Sequence, residues 1–361
     1  MAGLGTITAD LIRLHRRWEA LAGAALGAPA ALGRPPAGTG RLREVADFGP
    51  NPGGLRLLCH VPERLAPRPA LVVALHGCGQ TAAGFDHGTG WSRLADERGF
   101  AVLLPEQQAA NNPSTCFNWF RPADNRRDGG EAASIRQMVR WMVEAHGISQ
   151  DRIFVTGLSA GGAMASVMLA TYPDVFAAGA VIAGLPYGAA DSPRDALRAM
   201  FEGIEHPARA WGDLVRAASP HAGRWPRVAV WHGTADTTVT PANAAEIVKQ
   251  WRDLHALPER PTSEEALTGH LRRRWLAGDG EVVLEEVLVA DLGHGVPLDT
   301  GPDAPLRGVA GPFLLAAGLS STWHIARFFG LVGEAPAGRR EKARPGLERM
   351  IVDALRRAGL A

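Results

Sequence analysis

The chain has 361 residues, of which 46 % are hydrophobic and 21 % charged, and its net charge is +1. Such a length favours one large domain with extensions, and the charge balance argues against a basic surface for nucleic acid or anionic membranes. We expect no membrane span, because no stretch is long and apolar enough. Charged residues from Asp10 to Glu19 also interrupt any run of signal-peptide type.

Three parts are predicted along the chain. Residues 1–45 read as an N-terminal extension and linker, with an amphipathic helix over Ile7–Leu21. Residues 46–332 form the main domain. Residues 333–361 form a Pro/Gly/Arg-rich linker followed by a helix over Leu347–Leu360.

Strand and helix patterns alternate within the main domain. Short apolar runs bounded by turn residues predict strands buried on both faces. These runs are Leu55–Val61, Leu71–Leu75, Ala101–Leu104, Ile153–Thr156, Ala180–Ala183, Val228–Trp231 and Val283–Ala290. Helices are predicted between several of them, most clearly over Glu131–His146 and from Thr240 to Leu254. This order favours a mainly parallel sheet with helices on both faces.

A candidate nucleophile, Ser159, lies in a Gly-x-Ser-x-Gly run between a predicted strand and the helical stretch Ala163–Ala170. A nucleophilic serine at a sharp strand-to-helix turn needs small neighbours, and Gly157 and Gly161 provide them. The alternative is a glycine-rich turn that contains a serine by chance. The strand before it and the helix after it favour the nucleophile.

A base and an orienting acid are expected downstream, in the order acid then histidine. Asp236 follows the strand Val228–Trp231, and His294 follows the strand Val283–Ala290. Both positions lie past the carboxyl end of a strand, the edge where sites form in parallel sheets. Asp291 is the rival acid, but its place on the loop of His294 favours a turn residue. His232 is predicted to be structural.

The loop that follows Leu71–Leu75 is the candidate oxyanion hole. We assign one backbone donor to Cys78, with Gly79 as the alternative, and the other donor to Ala160. An ordinary glycine-rich turn is the competing interpretation. A disulfide from Cys78 to Cys116 would clamp this loop, but sequence alone does not fix the pairing. The third cysteine, Cys59, is predicted to be a buried free thiol.

Several long motifs resemble the polyhydroxybutyrate (PHB) depolymerase family of esterases, which is related to feruloyl and acetylxylan esterases. They are LHGCGQTAAGFDHGTGW, LLPEQQAANNPSTCFNWF, FVTGLSAGGAMASVMLATYPDVFAAGAVIAGLPYG, WHGTADTTV and GHGVPL. The resemblance covers about residues 48–332 and implies an α/β-hydrolase catalytic domain with a small cap segment. It implies a triad of Ser159, Asp236 and His294, and a disulfide between Cys78 and Cys116.

The resemblance also indicates the substrate side of the site. It implies that Trp119 lines the substrate cleft, and we expect Gly79 and Gln80 to contact substrate as well. The segment Leu185–His221, with helical pieces over Ser192–Phe201 and Ala208–Ala217, is predicted to wall the acyl pocket. Other candidate apolar walls are Trp91 and Trp231, although core packing is the better interpretation of Trp231.

The predicted function is hydrolysis of carboxylic esters through an acyl-enzyme, with a short-chain poly(3-hydroxyalkanoate) or its oligomers as substrate. Secreted members of the family carry a polymer-binding domain, and the tails of this chain are too short for one, which favours oligomers or small acyl esters. A feruloyl or acetylxylan esterase is the alternative, followed by a serine peptidase and by a catalytically silent carrier.

No zinc site, phosphate-binding loop or dinucleotide fingerprint is recognisable, so we predict no metal and no cofactor. The expected partner is an ester substrate, not nucleic acid. The family resemblance and a bridged cysteine pair predict an extracellular or periplasmic location, while the lack of a signal-peptide pattern leaves a cytoplasmic one open.

Overall fold

The computed structural model describes residues 41–333, so the two predicted terminal helices lie outside the described residues. Its strands are β1 Arg43–Val45, β2 Arg56–His60, β3 Leu71–Leu75, β4 Ala101–Glu106, β5 Ile153–Leu158, β6 Ala178–Ile182, β7 Arg227–Gly233, β8 Ser263–Leu267, β9 His270–Leu276, β10 Val282–Val289, β11 Val296–Leu298 and β12 Leu314–Ala316. Its helices are α1 Ala82–Thr89, α2 Trp91–Arg98, α3 Gly130–His146, α4 Ala160–Thr171, α5 Pro193–Phe201, α6 Ala208–Ala218, α7 Ala242–Leu254 and α8 Ser321–Phe328.

A ten-stranded sheet in the order β1-β2-β4-β3-β5-β6-β7-β10-β9-β8 forms the centre of the fold. The six strands from β4 to β10 in this order pair in parallel, whereas β1 and β2 at one edge and β9 and β8 at the other pair antiparallel. The strands β3, β4 and β5 are buried along their whole length, as apolar strands covered on both faces should be. The predicted mainly parallel sheet is confirmed.

Helices cover both faces of the sheet and enclose two separate cores. On one face, α3, α4, α6 and α7 contribute buried side chains such as Met138, Met164 and Trp251. On the other face, α1, α2 and α8 contribute Phe85 and Trp323, among others. The periodic apolar stripe that predicted α3 is the stripe it buries against the sheet.

The antiparallel hairpin of β8 and β9 was not predicted from sequence, because many of its residues are charged. Three consecutive arginines, Arg272 to Arg274, lie on β9 and pair with glutamates of both neighbouring strands. For example, the Arg274 Nε donates to Glu285 on β10 at 2.8 Å. Cross-strand ion pairs thus replace the apolar alternation that sequence reading relies on.

The segment Leu185–His221 forms the two helices α5 and α6, close to the predicted helical pieces. Both contact α7: the Trp211 Nε1 donates to Glu246 at 2.6 Å, and the Asn243 Nδ2 donates to the carbonyl of Ala199 at 2.8 Å. The segment is therefore held by buried side-chain contacts to helix α7. Among residues 41–333, no helix combines the length and the apolar character that crossing a bilayer requires.

The parallel strands bring the candidate site residues to one edge of the sheet. Ser159 directly follows β5, and His76 directly follows the neighbouring strand β3. Asp236 and His294 lie in the loops after β7 and β10, which are themselves neighbours. Since carboxyl ends of parallel strands point the same way, these four residues share one rim.

Candidate active site

Ser159 occupies a strained turn between β5 and α4. Its φ of 57° and ψ of −119° lie in a region that non-glycine residues rarely adopt. A Cβ placed on Gly157 would lie 2.3 Å from the carbonyl oxygen of Gly161, and one on Gly161 would lie 2.4 Å from the carbonyl oxygen of Leu75. Both glycines are therefore required by backbone approach, and the turn holds the serine at the start of helix α4.

Ser159, His294 and Asp236 form one hydrogen-bonded relay, although up to 135 residues of sequence separate them. The Nε2 of His294 lies 2.9 Å from the Ser159 Oγ, and its Nδ1 lies 2.7 Å from the Asp236 Oδ2. In the resting state the Nδ1–H donates to the carboxylate, which leaves Nε2 free to accept the serine proton. The arrangement can generate a nucleophilic alkoxide.

Asp236 is almost fully buried and has hydrogen-bond partners on both carboxylate oxygens. The backbone N–H groups of Thr238 and Val239 donate to its Oδ1, each at 2.9 Å, and the His232 Nε2 lies 3.4 Å from its Oδ2. Burial alone would raise the pKa of Asp236, but hydrogen bonds from His232 and His294 hold that pKa well below its usual value of 3.8. The carboxylate therefore stays ionised at neutral pH.

Of the two other residues weighed for the acid–base pair, Asp291 lies outside the relay and His232 lies beside it. Asp291 is exposed, has a φ of 56°, and its backbone N–H donates to the Thr234 Oγ1 at 2.9 Å, which is the setting of a turn residue. His232 is buried, and its Nε2 donates to the carbonyl of Val239 at 2.9 Å. Its second contact, with Asp236, places His232 beside the relay. Sequence reasoning described this histidine only as structural.

The candidate oxyanion loop is a tight turn over residues 77–80. The N–H of Gln80 donates to the carbonyl of Gly77 at 3.3 Å, and Gly79 has the positive φ of 70° that this turn type needs at its third position. The Gly79 N–H is engaged, because it donates to the carbonyl of Ser114 at 2.8 Å. This contact favours the other candidate donor of the loop, Cys78.

The backbone N–H groups of Cys78 and Ala160 remain as the two candidate donors. Within residues 41–333, neither of them donates a hydrogen bond to a protein group. Cys78 is also joined to Cys116 by the disulfide, which links the turn to the loop after β4.

Cys59 is a free, buried thiol, and burial raises its pKa.

Of the three residues predicted to contact substrate, Gln80 and Trp119 make internal contacts, whereas Gly79 is exposed. Gln80 uses its side-chain amide internally, since its Oε1 accepts from the Gly77 N–H at 2.9 Å and its Nε2 donates to the carbonyl of Pro312 at 3.1 Å. Trp119 is only 6 % exposed and packs edge-on against Phe120 at 5.4 Å between ring centroids. Gly79 adjoins open space, since a Cβ there would meet no atom within 4 Å.

The tryptophans considered as further walls are core residues. Trp91 and Trp231 are 2 % and 0 % exposed and belong to the core beneath α1, α2 and α8. In the described part of the chain, no group of three or more histidine, cysteine, aspartate or glutamate side chains is arranged to hold a metal ion.

Sequence reasoning missed a buried polar group directly behind the oxyanion loop. It consists of His76, Gln107 and Glu131, which are 0 %, 3 % and 1 % exposed. The only sequence signal was a polar residue directly after each of two apolar strands, His76 after β3 and Gln107 after β4. Their mutual contacts depend on chain segments far apart in sequence.

Comparison with known proteins gives a consistent result. The family described as "Esterase PHB depolymerase" matches residues 58–266. Poly(3-hydroxyalkanoate) depolymerase C of Paucimonas lemoignei is 43 % identical over 81 % of this chain and 70 % of that protein. Acetylxylan esterase of Coprinopsis cinerea is 36 % identical over 72 % of this chain and 70 % of that protein. Among solved structures, the acetyl xylan esterase from Aspergillus awamori superposes with a TM-score of 0.68 at 27 % identity, covering 81 % of this chain and 99 % of that one.

Proposed function

Because this chain belongs to the esterase family of PHB depolymerases, and is therefore a carboxylic ester hydrolase, we propose that Ser159, His294 and Asp236 carry its reaction. We further propose short hydroxyalkanoate oligomers as its substrates. The observation that carries the proposal is the relay of hydrogen bonds, 2.9 Å from serine to imidazole and 2.7 Å from imidazole to carboxylate.

In the proposed acylation step, the Ser159 Oγ attacks the ester carbonyl while the His294 Nε2 takes its proton. The imidazolium that forms is stabilised by the ionised Asp236. The carbonyl oxygen becomes an oxyanion and accepts hydrogen bonds from the N–H groups of Cys78 and Ala160. The C–O bond to the leaving group then breaks, and the leaving alkoxide takes the proton from His294.

Deacylation repeats the same steps with water as nucleophile. His294 takes a proton from a water molecule, whose oxygen attacks the acyl-serine carbonyl. The same two N–H groups hold the second oxyanion, and the Ser159 oxygen leaves with the proton returned by His294. The free acid is released and the resting enzyme restored.

Support for the hydroxyalkanoate substrate comes from the relative named poly(3-hydroxyalkanoate) depolymerase C, which has a higher identity than the acetylxylan esterase compared above, 43 % against 36 %. We propose that the segment Leu185–His221 and Trp119 form the acyl side of the cleft.

We also propose an extracytoplasmic location, since disulfides such as Cys78–Cys116 persist in oxidising compartments.

The test compares Ser159→Ala with wild type in hydrolysis of short-chain p-nitrophenyl esters. Loss of the nucleophile should lower kcat by about 10⁴-fold or more. Ser166→Ala is the matched control, because Ser166 lies on the same helix α4 and its buried Oγ has no hydrogen-bond partner. The control should keep wild-type kcat, and a Ser159→Ala enzyme that remains active would refute the assignment.

A substrate panel tests the second half of the proposal. Dimers and trimers of 3-hydroxybutyrate should give a higher kcat/KM than methyl ferulate or acetylated xylo-oligosaccharide. Preference for ferulate or acetylxylan would leave the esterase mechanism in place and overturn the substrate. Cleavage of peptides without preference for esters would instead indicate a peptidase.

A further inference from the structure

A buried chain of hydrogen bonds leads from helix α3 to the oxyanion loop. We propose that Glu131, Gln107 and His76 are positioning residues that fix the direction of the Gly77–Cys78 peptide. In this arrangement the Cys78 N–H faces the oxyanion that forms on the substrate. The inference rests on the proposed function, since it assumes that Cys78 is an oxyanion donor.

The hydrogen bonds of His76 define its tautomer. The backbone N–H of Gln107 donates to the His76 Nε2 at 3.2 Å, so Nε2 carries no proton. The proton is therefore on Nδ1, which donates to the carbonyl of Gly77 at 2.8 Å. Complete burial lowers the pKa of His76, so the ring stays neutral and keeps this tautomer.

The bond from His76, together with the turn hydrogen bond from the Gln80 N–H to the same Gly77 carbonyl, determines where the next N–H points. Described peptide bonds are all trans, and in a trans peptide the carbonyl and the N–H point in opposite directions. Holding the Gly77 carbonyl against the His76 ring therefore turns the Cys78 N–H away from that ring. This N–H has no acceptor within residues 41–333, so it is available to a ligand.

Gln107 connects the histidine to the loop on the other side of the disulfide. Its side-chain Nε2 donates to the carbonyl of Cys116 at 3.1 Å and to the Glu131 Oε1 at 2.6 Å. One residue thus contacts chain on both sides of the Cys78–Cys116 bond: His76, directly before the oxyanion loop, through its backbone and the Cys116 loop through its side chain. Displacing Gln107 would move both.

Glu131 is the fixed end of the chain of hydrogen bonds. It lies in the first turn of α3, where the helix dipole favours a carboxylate. Besides Gln107, its Oε1 accepts from the Asn118 Nδ2 at 2.6 Å and its Oε2 from the Asn118 backbone N–H at 2.8 Å. A carboxyl at 1 % exposure is costly to bury unless its acceptor capacity is used, and here three donors use it.

The positioning role predicts a specific kinetic effect. A misdirected oxyanion donor weakens only the stabilisation of the transition state, because charge has developed on the carbonyl oxygen there. Substitutions in the network should therefore lower kcat and leave KM nearly unchanged. Affinity for a trifluoromethyl ketone, whose serine adduct places an oxyanion in the same position, should fall in parallel with kcat.

The experiment compares two substitutions of His76 in the full-length enzyme. In His76→Asn the amide nitrogen takes the place of Nδ1 and still reaches the Gly77 carbonyl, whereas His76→Leu removes that donor. We expect the leucine variant to lose about 10- to 100-fold in kcat, less than the 10²- to 10³-fold cost of deleting a donor. The asparagine variant should stay within about 3-fold of wild type, and KM within about 2-fold in both.

Two further variants keep the test decisive if the leucine variant does not fold. His76→Gln places its amide near the Nε2 position and gives up the Gly77 contact, so it should lose kcat where the asparagine variant does not. In Glu131→Gln only one side-chain oxygen remains to accept the hydrogen bonds that Gln107 and Asn118 now donate to two carboxylate oxygens. This variant should therefore lower kcat by about 3- to 10-fold with KM unchanged.

The outcomes separate this inference from the proposed function. Equal loss of kcat in His76→Asn and His76→Gln, or a loss expressed mainly in KM, would overturn the positioning role. Wild-type kcat in a folded His76→Leu enzyme would do the same, with the esterase mechanism untouched. An enzyme without Ser159-dependent ester hydrolysis would instead refute the proposed function, and that result is visible before any His76 variant is made.

Discussion

At the scale of single residues, the site depends on how Asp236 is held. The carboxylate accepts two backbone N–H groups on one oxygen and lies between two histidines on the other. These contacts fix its orientation, and those with His232 and His294 hold its pKa low against the opposing effect of burial. An ionised acceptor at this position keeps the His294 proton on Nδ1.

We predict that Asp236→Asn lowers kcat by about 10⁴-fold, because an amide nitrogen facing Nδ1 favours the wrong imidazole tautomer. Asp291→Asn is the matched control: it removes a carboxylate from the loop of His294, and asparagine tolerates the positive φ found there. Steady-state hydrolysis of a p-nitrophenyl ester measures both. A similar loss of kcat in the two variants would mean that Asp236 is wrongly assigned as the acid.

At the scale of elements, the nucleophile turn is a junction of three backbones. Strand β5, helix α4 and the end of β3 approach so closely that Gly157 and Gly161 leave no room for a Cβ. The end of β3 leads directly into His76 and the oxyanion loop. The proposed nucleophile and the proposed oxyanion donors are thus positioned by the same packing contact between β3 and the start of α4.

Gly161→Ala should therefore destabilise the fold by about 3 kcal/mol or more, because its Cβ would meet the backbone carbonyl of Leu75 at 2.4 Å. Gly278→Ala serves as the control, since a Cβ there meets nothing within 4 Å. Urea denaturation followed by circular dichroism gives both free energies of unfolding. Equal stability of the two variants would mean that the turn relaxes at little cost.

At the scale of the whole molecule, buried polar groups make stability depend on pH. Glu131 is the clearest case, because burial raises its pKa from 4.5 to about 7 despite the hydrogen bonds it accepts from Asn118 and Gln107. In the unfolded chain the carboxyl titrates near its ordinary value of 4.5. Between these two values the folded protein holds a proton that the unfolded chain has released.

The free energy of unfolding should consequently fall as pH rises through this window, by about 3 kcal/mol in total, and stay level above it. Glu131→Gln cannot titrate at this position, so its stability should lack this component. The measurement is the difference in unfolding free energy between wild type and variant, followed from about pH 4 to about pH 8. A difference that does not change with pH would contradict the raised pKa.

Much of the fold could be predicted from sequence, because central parallel strands are apolar runs and their helices carry periodic stripes. The same logic identified Ser159, Asp236 and His294 as candidate site residues, since each follows a predicted strand. The edge hairpin of β8 and β9 could not be predicted in this way. Its side chains are balanced by charges on neighbouring strands, and periodicity records only apolar burial.

The sequence by itself determined the candidates for nucleophile, base and acid, because local strand and turn patterns predict that they lie at one rim. Only the tertiary structure favours Cys78 over Gly79 as the proposed oxyanion donor, since the N–H of Gly79 donates to a carbonyl 35 residues further along the chain. It also revealed the contacts of His76, Gln107 and Glu131. Hydrogen-bond direction depends on partners that only folding brings within about 3 Å.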